Sequence, residues 1–334
     1  MYMKKMRVLL IIIVLALFIG CEKILEMDIE ATAPMIVVNA AINPDSVITV
    51  SVTRSMHILD NSPVIRLTNA NLEVYEEDNL LGSLQHWREG VFKGSFYPQT
   101  GKKYTIKVSS QDLPDAEASC VVPYPPISLG IDTLSIYDEY NNRTMQYTYR
   151  FKDKANERNY YHLFAMRRYK YYEYDPDSFS IDTIYQNQDT VIVDTTWGNE
   201  IPKMRFEPLW INSDDIIVSQ NLWSDNGVIF TDELFDGQNY KLRLNSDSYF
   251  PGEDTITVYF YFKEITEELY KYYNSHEEHI YAKDDPFSEP VIVYSNVEGG
   301  VGIVGAFSQK VDSLRFYAPD YWGGSSWGEP IYYE

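Results

Sequence analysis

The chain has 334 residues, 45% of them hydrophobic and 15% aromatic, and sets 28 Lys and Arg against 49 Asp and Glu for a formal charge of −21. That is enough apolar material for a packed core and enough length for about two domains, and it excludes collagen-like, coiled-coil and low-complexity architectures. Nucleic-acid affinity comes mainly from Lys and Arg displacing counterions, so so acidic a chain is not expected to bind DNA or RNA.

Lys4, Lys5 and Arg7 precede an apolar run from Val8 to Ile19. A bilayer-spanning helix needs about 20 apolar residues, so this run is too short to span and suits the apolar region of a secretory signal. It ends in Leu17-Phe18-Ile19-Gly20-Cys21, which resembles a bacterial lipobox with Phe18 where the usual pattern has Leu. The resemblance implies cleavage before Cys21, a diacylglycerol thioether on its sulfur and an acylated amine. Residues 1–20 are then the signal peptide, and residues 21–34, carrying Glu22, Glu26, Asp28 and Glu30 ahead of Pro34, an acidic tether. Each buried CH₂ of an acyl chain contributes about 0.8 kcal/mol, so two or more chains anchor durably in outer-membrane lipid. Cys120 is left as the one unlipidated thiol, and no intramolecular disulfide is expected. Acids directly after such a cysteine resemble surface-export signals, which implies an outer-membrane location facing outward rather than the periplasm.

From Met35 onward the pattern is β. Met35–Ile42 and Ser46–Thr53 flank Asn43-Pro44-Asp45 and predict a hairpin. Asn71–Glu76, Lys103–Val108 and Ala118–Val122 continue the series, with Tyr104, Ile106 and Val108 on one face. Short strands at this spacing predict an immunoglobulin-like β-sandwich over residues 35–123. Pro123-Tyr124-Pro125-Pro126 opposes both helix and ladder pairing and marks a linker. Residues 127–334 then form a larger β-rich C-terminal domain, with strands at Thr144–Phe151, Tyr160–Tyr172, Tyr240–Leu244 and Thr255–Phe262, and a hairpin over Ser180–Thr196. One amphipathic helix is predicted near 266–282: Thr266 is its N-cap, Glu267 and Glu268 face the positive end of its dipole, and Ile265, Leu269, Tyr272, Tyr273, His276 and Ile280 share a stripe. That stripe reads as core packing against a sheet. Val291–Tyr294, Ile303–Phe307 and Val311–Tyr317 read as further strands.

The C-terminal stretch is the distinctive one. A helix with a Tyr272-Tyr273 pair, then Pro286-Phe287-Ser288-Glu289-Pro290, a strand, Ser295-Asn296 and the glycine-rich Gly299–Gly305 resembles the signature of the domain-of-unknown-function 4249 family. Cys21, the early hairpin, Gly101–Tyr104 and the Val122–Pro126 junction agree with it. The resemblance implies a Gram-negative envelope lipoprotein, commonly encoded beside TonB-dependent outer-membrane receptors, with no assigned activity.

Several strings invite chemistry and lack its context. Gly300-x-Gly302-x-x-Gly305 matches a dinucleotide fingerprint, which works only where a strand turns into a helix, and here strands follow. Gly324-x-Ser326-x-Gly328 matches a nucleophile elbow with neither Asp nor His after it. His276-Glu277-Glu278-His279 has the wrong spacing for a zincin helix. Asp214-Asp215 belongs to no calcium loop. No catalytic residue, metal site or cofactor is therefore predicted. Seven Asp-Ser/Thr-apolar strings, Asp45-Ser46-Val47 among them, read equally as turn-to-strand starts and as resembling O-glycosylation acceptors. Tyr169–Tyr174 and Tyr270–Tyr273 read as strand-facing rings or as stacking platforms. The expected role is a non-enzymatic accessory or ligand-capture subunit of a TonB-dependent transporter, taking a peptide or glycan. The alternative is a glycan-binding surface module of a polysaccharide-uptake system, with Trp210, Trp223, Trp322 and Trp327 as platforms. A hydrolase, the third class, would require a pocket of convergent carboxylates or His with shifted pKa values.

Overall fold

β-Branched and aromatic residues alternating with polar ones, broken by Gly and Pro turns, favour strands over most of the chain, and strands form. The computed structural model describes residues 33–57, 60, 62–137, 143–186, 190–222, 227–246, 254–284 and 288–318. All named strands and the helix lie in one unit, Pro34–Met56 with Asp60–Glu334; the other, Met1–Ala33 with His57–Leu59, falls almost wholly outside the described residues.

β1 (Ile36–Ile42) and β2 (Thr49–Arg54) make the predicted hairpin, and Asn43 Oδ1 accepts the Asp45 amide at 3.0 Å in its turn. There follow β3 (Asn71–Glu76), β4 (Asn79–Ser83), β5 (Gln85–Arg88), β6 (Val91–Lys93), β7 (Lys103–Ser109) and β8 (Ala116–Val121). β4 to β6, absent from the strands expected above, are short, and every residue of β5 is exposed, so no buried–exposed alternation marks it. Two layers result, β5-β6-β2-β1 and β4-β3-β7-β8. Ile36, Val50, Leu72, Val74, Tyr104 and Val122 belong to the core they share, and none of the six retains exposed surface. Each such side chain stabilises by roughly 1.5–3 kcal/mol on burial.

The second half comprises β9 (Ile127–Tyr137), β10 (Arg143–Lys152), β11 (Tyr160–Gln186), β12 (Thr190–Leu209), β13 (Ile211–Asn212), β14 (Val218–Leu222), β15 (Gly227–Thr231), β16 (Asn239–Ser246) and β17 (Asp254–Ile265), then α1 (Glu267–Asp284) and β18 (Val301–Ala318). Sheet β13-β16-β10-β9 shares a core with the run β15-β11-β17-β18 of the long sheet. That core is largely aromatic: the Phe262 ring lies 5.1 Å from Tyr149, 5.0 Å from Phe151 and 5.2 Å from Tyr161. Part of the Tyr content lies here, where Tyr147, Tyr149 and Tyr161 are buried beside Phe230, Phe235 and Phe260.

β18 joins the two halves. In place of the two strands expected over Ile303–Phe307 and Val311–Tyr317, one continuous strand pairs in parallel with β1 from Val37↔Val301 to Ile42↔Ala306. It then pairs antiparallel with β17 from Ile265↔Phe307 to Asp254↔Ala318. Val304 and Ala306 enter the first core, Leu314 the second. Residues 35–123 thus share their core with a strand from the far end of the sequence. Gly302 permits the close parallel pairing: its φ is +119°, and a Cβ there would fall 2.2 Å from the Val38 carbonyl oxygen. The proline-rich junction is held from both sides, Ser308 Oγ donating to Pro123 O at 2.6 Å and Lys154 Nζ to Tyr124 O at 3.3 Å.

α1 begins where its cap predicts. Thr266 Oγ1 accepts the Leu269 amide at 3.4 Å, Thr266 O accepts that of Tyr270 at 3.0 Å, and Lys271 pairs with Glu267 at 2.9 Å. The first part of its stripe packs as core: Leu269 is buried with Ile265 and Ile303, against Tyr160, Tyr272, Tyr273 and Phe307, while His276 and Ile280 stay half-buried outside that cluster. Val291–Tyr294 is not a strand. It runs beside the helix, whose side chains satisfy its backbone: Val291 O lies 2.8 Å from His279 Nδ1, and Ser275 Oγ accepts the Tyr294 amide at 2.8 Å. Asn296 substitutes for a ladder partner, its amide bonding both Val304 N at 2.9 Å and Val304 O at 2.7 Å.

Candidate functional site

Directly opposed residues of an antiparallel ladder lie on the same face of the sheet. One row therefore runs Phe206–Arg168–Thr257–Arg315 across β12, β11, β17 and β18, and the next runs Pro208–Met166–Tyr259–Ser313. Flanking rows add Phe164–Tyr261–Val311 on one side, and Lys170–Met204 with Tyr172–Pro202 on the other. The opposite face of the same strands is the aromatic core. α1 covers this outer face at its Tyr160–Ile265–Phe307 end. The rest stays open: Met204 is 55% exposed, Phe206 53%, Val311 40% and Tyr172 39%. Phe164 and Tyr261 stack at 4.7 Å, and Lys263 Nζ sits 4.7 Å above Phe164. In a chain of net charge −21, this face carries Arg168, Lys170, Lys263 and Arg315.

Beyond Arg168, β11 pairs with β12 alone, from Tyr169↔Arg205 to Gln186↔Thr190. The two-stranded ribbon so formed has a register shift at Asp175–Phe179, around Pro176. Tyr174, 64% exposed, lies at its root.

A second constellation lies at the opposite end of the domain. Asp153, after β10, and Asp232 and Asp236, after β15, bring one carboxylate oxygen each within 4.8 Å of the others. Each is already bonded. Asp153 accepts the Tyr161 hydroxyl at 2.5 Å and the Gly237 amide at 2.7 Å. Asp232 accepts the Asn159 amide at 2.8 Å with Arg158 3.6 Å away, and Asp236 accepts the Asn156 amide at 2.9 Å. Burial raises the Asp153 and Asp232 carboxyls above their ordinary range, and the neighbouring carboxylates add to it. The arrangement ties two loops together. Two clefts, of about 550 and 600 Å³, lie elsewhere, at Lys107–Glu298 and along α1. Nearby, Lys154 and the buried Glu264 pair at 2.7 Å.

Of the Trp residues predicted as platforms, Trp210 is half exposed between β12 and β13, while Trp223, Trp322 and Trp327 lie outside the described residues, as does Cys21. On β11 and β12 themselves Tyr172, Tyr174 and Phe206 are also open, which residue type alone did not separate from the buried Tyr169. His276 stacks on Tyr272, and neither it nor His279 joins a metal-like group among the described residues. Asp215 accepts the Tyr240 hydroxyl at 2.7 Å and caps its own turn. The fingerprint glycines lie at and within β18, with no helix after them among the described residues.

The family description Domain of unknown function (DUF4249) matches residues 22–313, from the residue after Cys21 to the last third of β18. The chain belongs to this family. No curated protein matches it. In this DUF4249 chain the Ser295-Asn296 pair of the signature is what closes the loop onto β18, through Asn296 to Val304 and Ser295 Oγ to the Gly302 amide at 3.1 Å. The match ends before residues 319–334. Among the described residues no helix is long and apolar enough to cross a membrane.

Proposed function

We propose that this protein is an outer-membrane lipoprotein, tethered through Cys21, that serves as a non-enzymatic accessory subunit of a TonB-dependent transporter and presents a surface for ligand capture. Family membership and the N-terminal signal support the location. The observation that carries the role is the β11–β12 ribbon. An isolated two-stranded hairpin is at best marginal in water, yet this one runs 18 residues past the sheet, from Tyr169 to Gln186, a strand length of about 60 Å. Such an element suits contact with a partner that its own domain does not supply. The test is copurification of the tagged protein from outer membranes, beside Cys21→Ala and a variant with residues 175–200 replaced by a short turn. A β-barrel receptor is expected with the unaltered protein and is lost with the shortened ribbon. Recovery of the unaltered protein alone overturns the reading.

The exposed rings of Tyr172, Tyr174 and Phe206 on β11 and β12, with Trp210 nearby in sequence, favour one alternative, a glycan-binding surface module. Binding to a glycan panel that is lost in Tyr172→Ala or Trp210→Ala would replace the transporter reading with this one.

A further inference from the structure

We propose that the open outer face of β12, β11, β17 and β18 binds an anionic glycan, a chain of carboxylated sugars whose rings stack on Phe206 and Tyr259 and whose carboxylates pair with Arg168 and Arg315. The charge pattern carries the inference. The chain holds 49 Asp and Glu against 28 Lys and Arg, yet the rows from Phe164–Tyr261–Val311 to Tyr172–Pro202 contain Arg168, Lys170 and Arg315 and no acid. Acids on the same strands turn away: Glu207 pairs with Arg167 and Asp312 accepts the Tyr149 hydroxyl, each on the reverse face. Arg168 and Arg315 flank Thr257 in one row, two strand spacings or about 10 Å apart. Both are exposed, and neither makes an ion pair among the described residues.

The rings sit among these cations. Phe206, more than half exposed, meets the Tyr259 ring edge-on at 5.9 Å, and Lys170 Nζ lies 4.9 Å from the Tyr172 ring. A guanidinium takes a carboxylate in a planar, two-pronged pair, and an open aromatic ring takes the apolar C–H side of a pyranose. An extended polymer suits the shape, because the face is a sheet surface on which neither of the two clefts opens. A peptide fits it less well. Peptide strands add to free sheet edges through main-chain hydrogen bonds, whereas β11 and β17 are paired on both sides here and offer side chains alone. A bilayer would also meet Glu200, opposite Tyr174 on the same face, where the acid-free rows end. The inference names the ligand class of the capture surface proposed above and rests on that reading of the surface, not on the receptor contact.

Isothermal titration of the purified full chain with polygalacturonate, alginate and hyaluronate tests it. Beside them stand the methyl ester of each, which keeps the sugar chain and removes the charge, and poly-L-glutamate. At least one of the three acids is expected to bind, more weakly as salt is added, and its ester to bind far less. Arg168→Gln/Arg315→Gln is expected to weaken that binding at least about tenfold, while Lys241→Gln/Arg243→Gln, the same charge change on β16 of the facing sheet, leaves it within about twofold. Phe206→Ala is expected to weaken it several-fold, and near-UV circular dichroism checks the fold of each variant. Binding of none of the three acids overturns the proposal, as does equal binding of acid and ester or equal loss in the two paired variants. Tighter binding of poly-L-glutamate also overturns it, assigning the face to an acidic peptide. Neutral glycans bound in place of the acids keep the glycan reading and remove this one. Copurification of a receptor is read separately and bears on the transporter reading alone.

Discussion

Replacing Tyr161 with Phe removes one oxygen from a buried position and tests whether the three-aspartate cluster holds the fold together. Tyr161 is 1% exposed, and its hydroxyl donates to Asp153, itself 2% exposed, at 2.5 Å. Phe fills nearly the same volume, so the cost is the lost bond and little cavity. A hydrogen bond to a charged group contributes about 1.5–3 kcal/mol, so the expected loss is about 2 kcal/mol at pH 7, of a total that is typically 5–15. With an unfolding entropy near 2.1 cal/mol/K per residue, this lowers Tm by about 3 °C. The pH dependence makes the test specific. Burial raises the folded Asp153 carboxyl above 3.8, while the Tyr161 hydroxyl pulls it down. A carboxyl raised on folding contributes stability below its unfolded value and loses it as pH rises through the folded one. Without the hydroxyl the folded value climbs further, so the penalty is full at pH 7 and disappears below about pH 3.8. Urea unfolding of both proteins at pH 7 and near pH 4 measures it. A penalty of the same size at both pH values, or one under about 0.5 kcal/mol, refutes the reasoning.

Asp236→Asn keeps an acceptor for the Asn156 amide and removes a charge that raises both Asp153 and Asp232, so it should raise the urea midpoint at pH 7; a calcium-induced rise in Tm that this change abolishes would make the cluster a cation site instead. Lys154→Met leaves Glu264 buried without its cation and should cost about 3 kcal/mol at pH 7, less in acid, because Glu264 is already raised by burial and climbs further when the cation is gone. Gly305→Ala would set a Cβ 2.4 Å from Leu269 Cγ and 2.9 Å from Thr266 Oγ1; it should cost about 1–3 kcal/mol, with faster hydrogen exchange at the start of α1. His162 is buried with neither ring nitrogen bonded and is pushed down to about 3, so the unfolded chain takes up a proton below pH 6.5 that the folded one refuses. Stability due to this group falls with acid, and His162→Phe, stacking against Phe164 and Tyr273, should be relatively more stable at pH 5 than at pH 8.

Locally coded features were legible in the residues. The Asn43-Pro44-Asp45 turn, the alternation of Tyr104, Ile106 and Val108, and the Thr266 cap each depend on neighbours within a few positions. Even so, Val291–Tyr294 had a strand's composition and found its backbone partners on a helix instead. β4 and β5 are almost wholly exposed and carry no burial period to read, and β6, though it buries Phe92, is only three residues long.

What the sequence determined by itself was a mainly β chain with one capped helix, of the domain-of-unknown-function 4249 family, because periodicity, turn chemistry and a contiguous signature all act at short range. Only the tertiary structure decided that β18 lies parallel to β1, 264 residues away at the bond from the Ile303 amide to Asn39 Oδ1, and that Asp153 meets Asp232 and Asp236. It also decided which tyrosines face water: Tyr169 and Tyr172 have the same side chain and nearly adjacent positions, yet one is 3% exposed and the other 39%. The reason is that strand alternation assigns residues to two faces, while the sheet packed against one of them determines which face becomes the core.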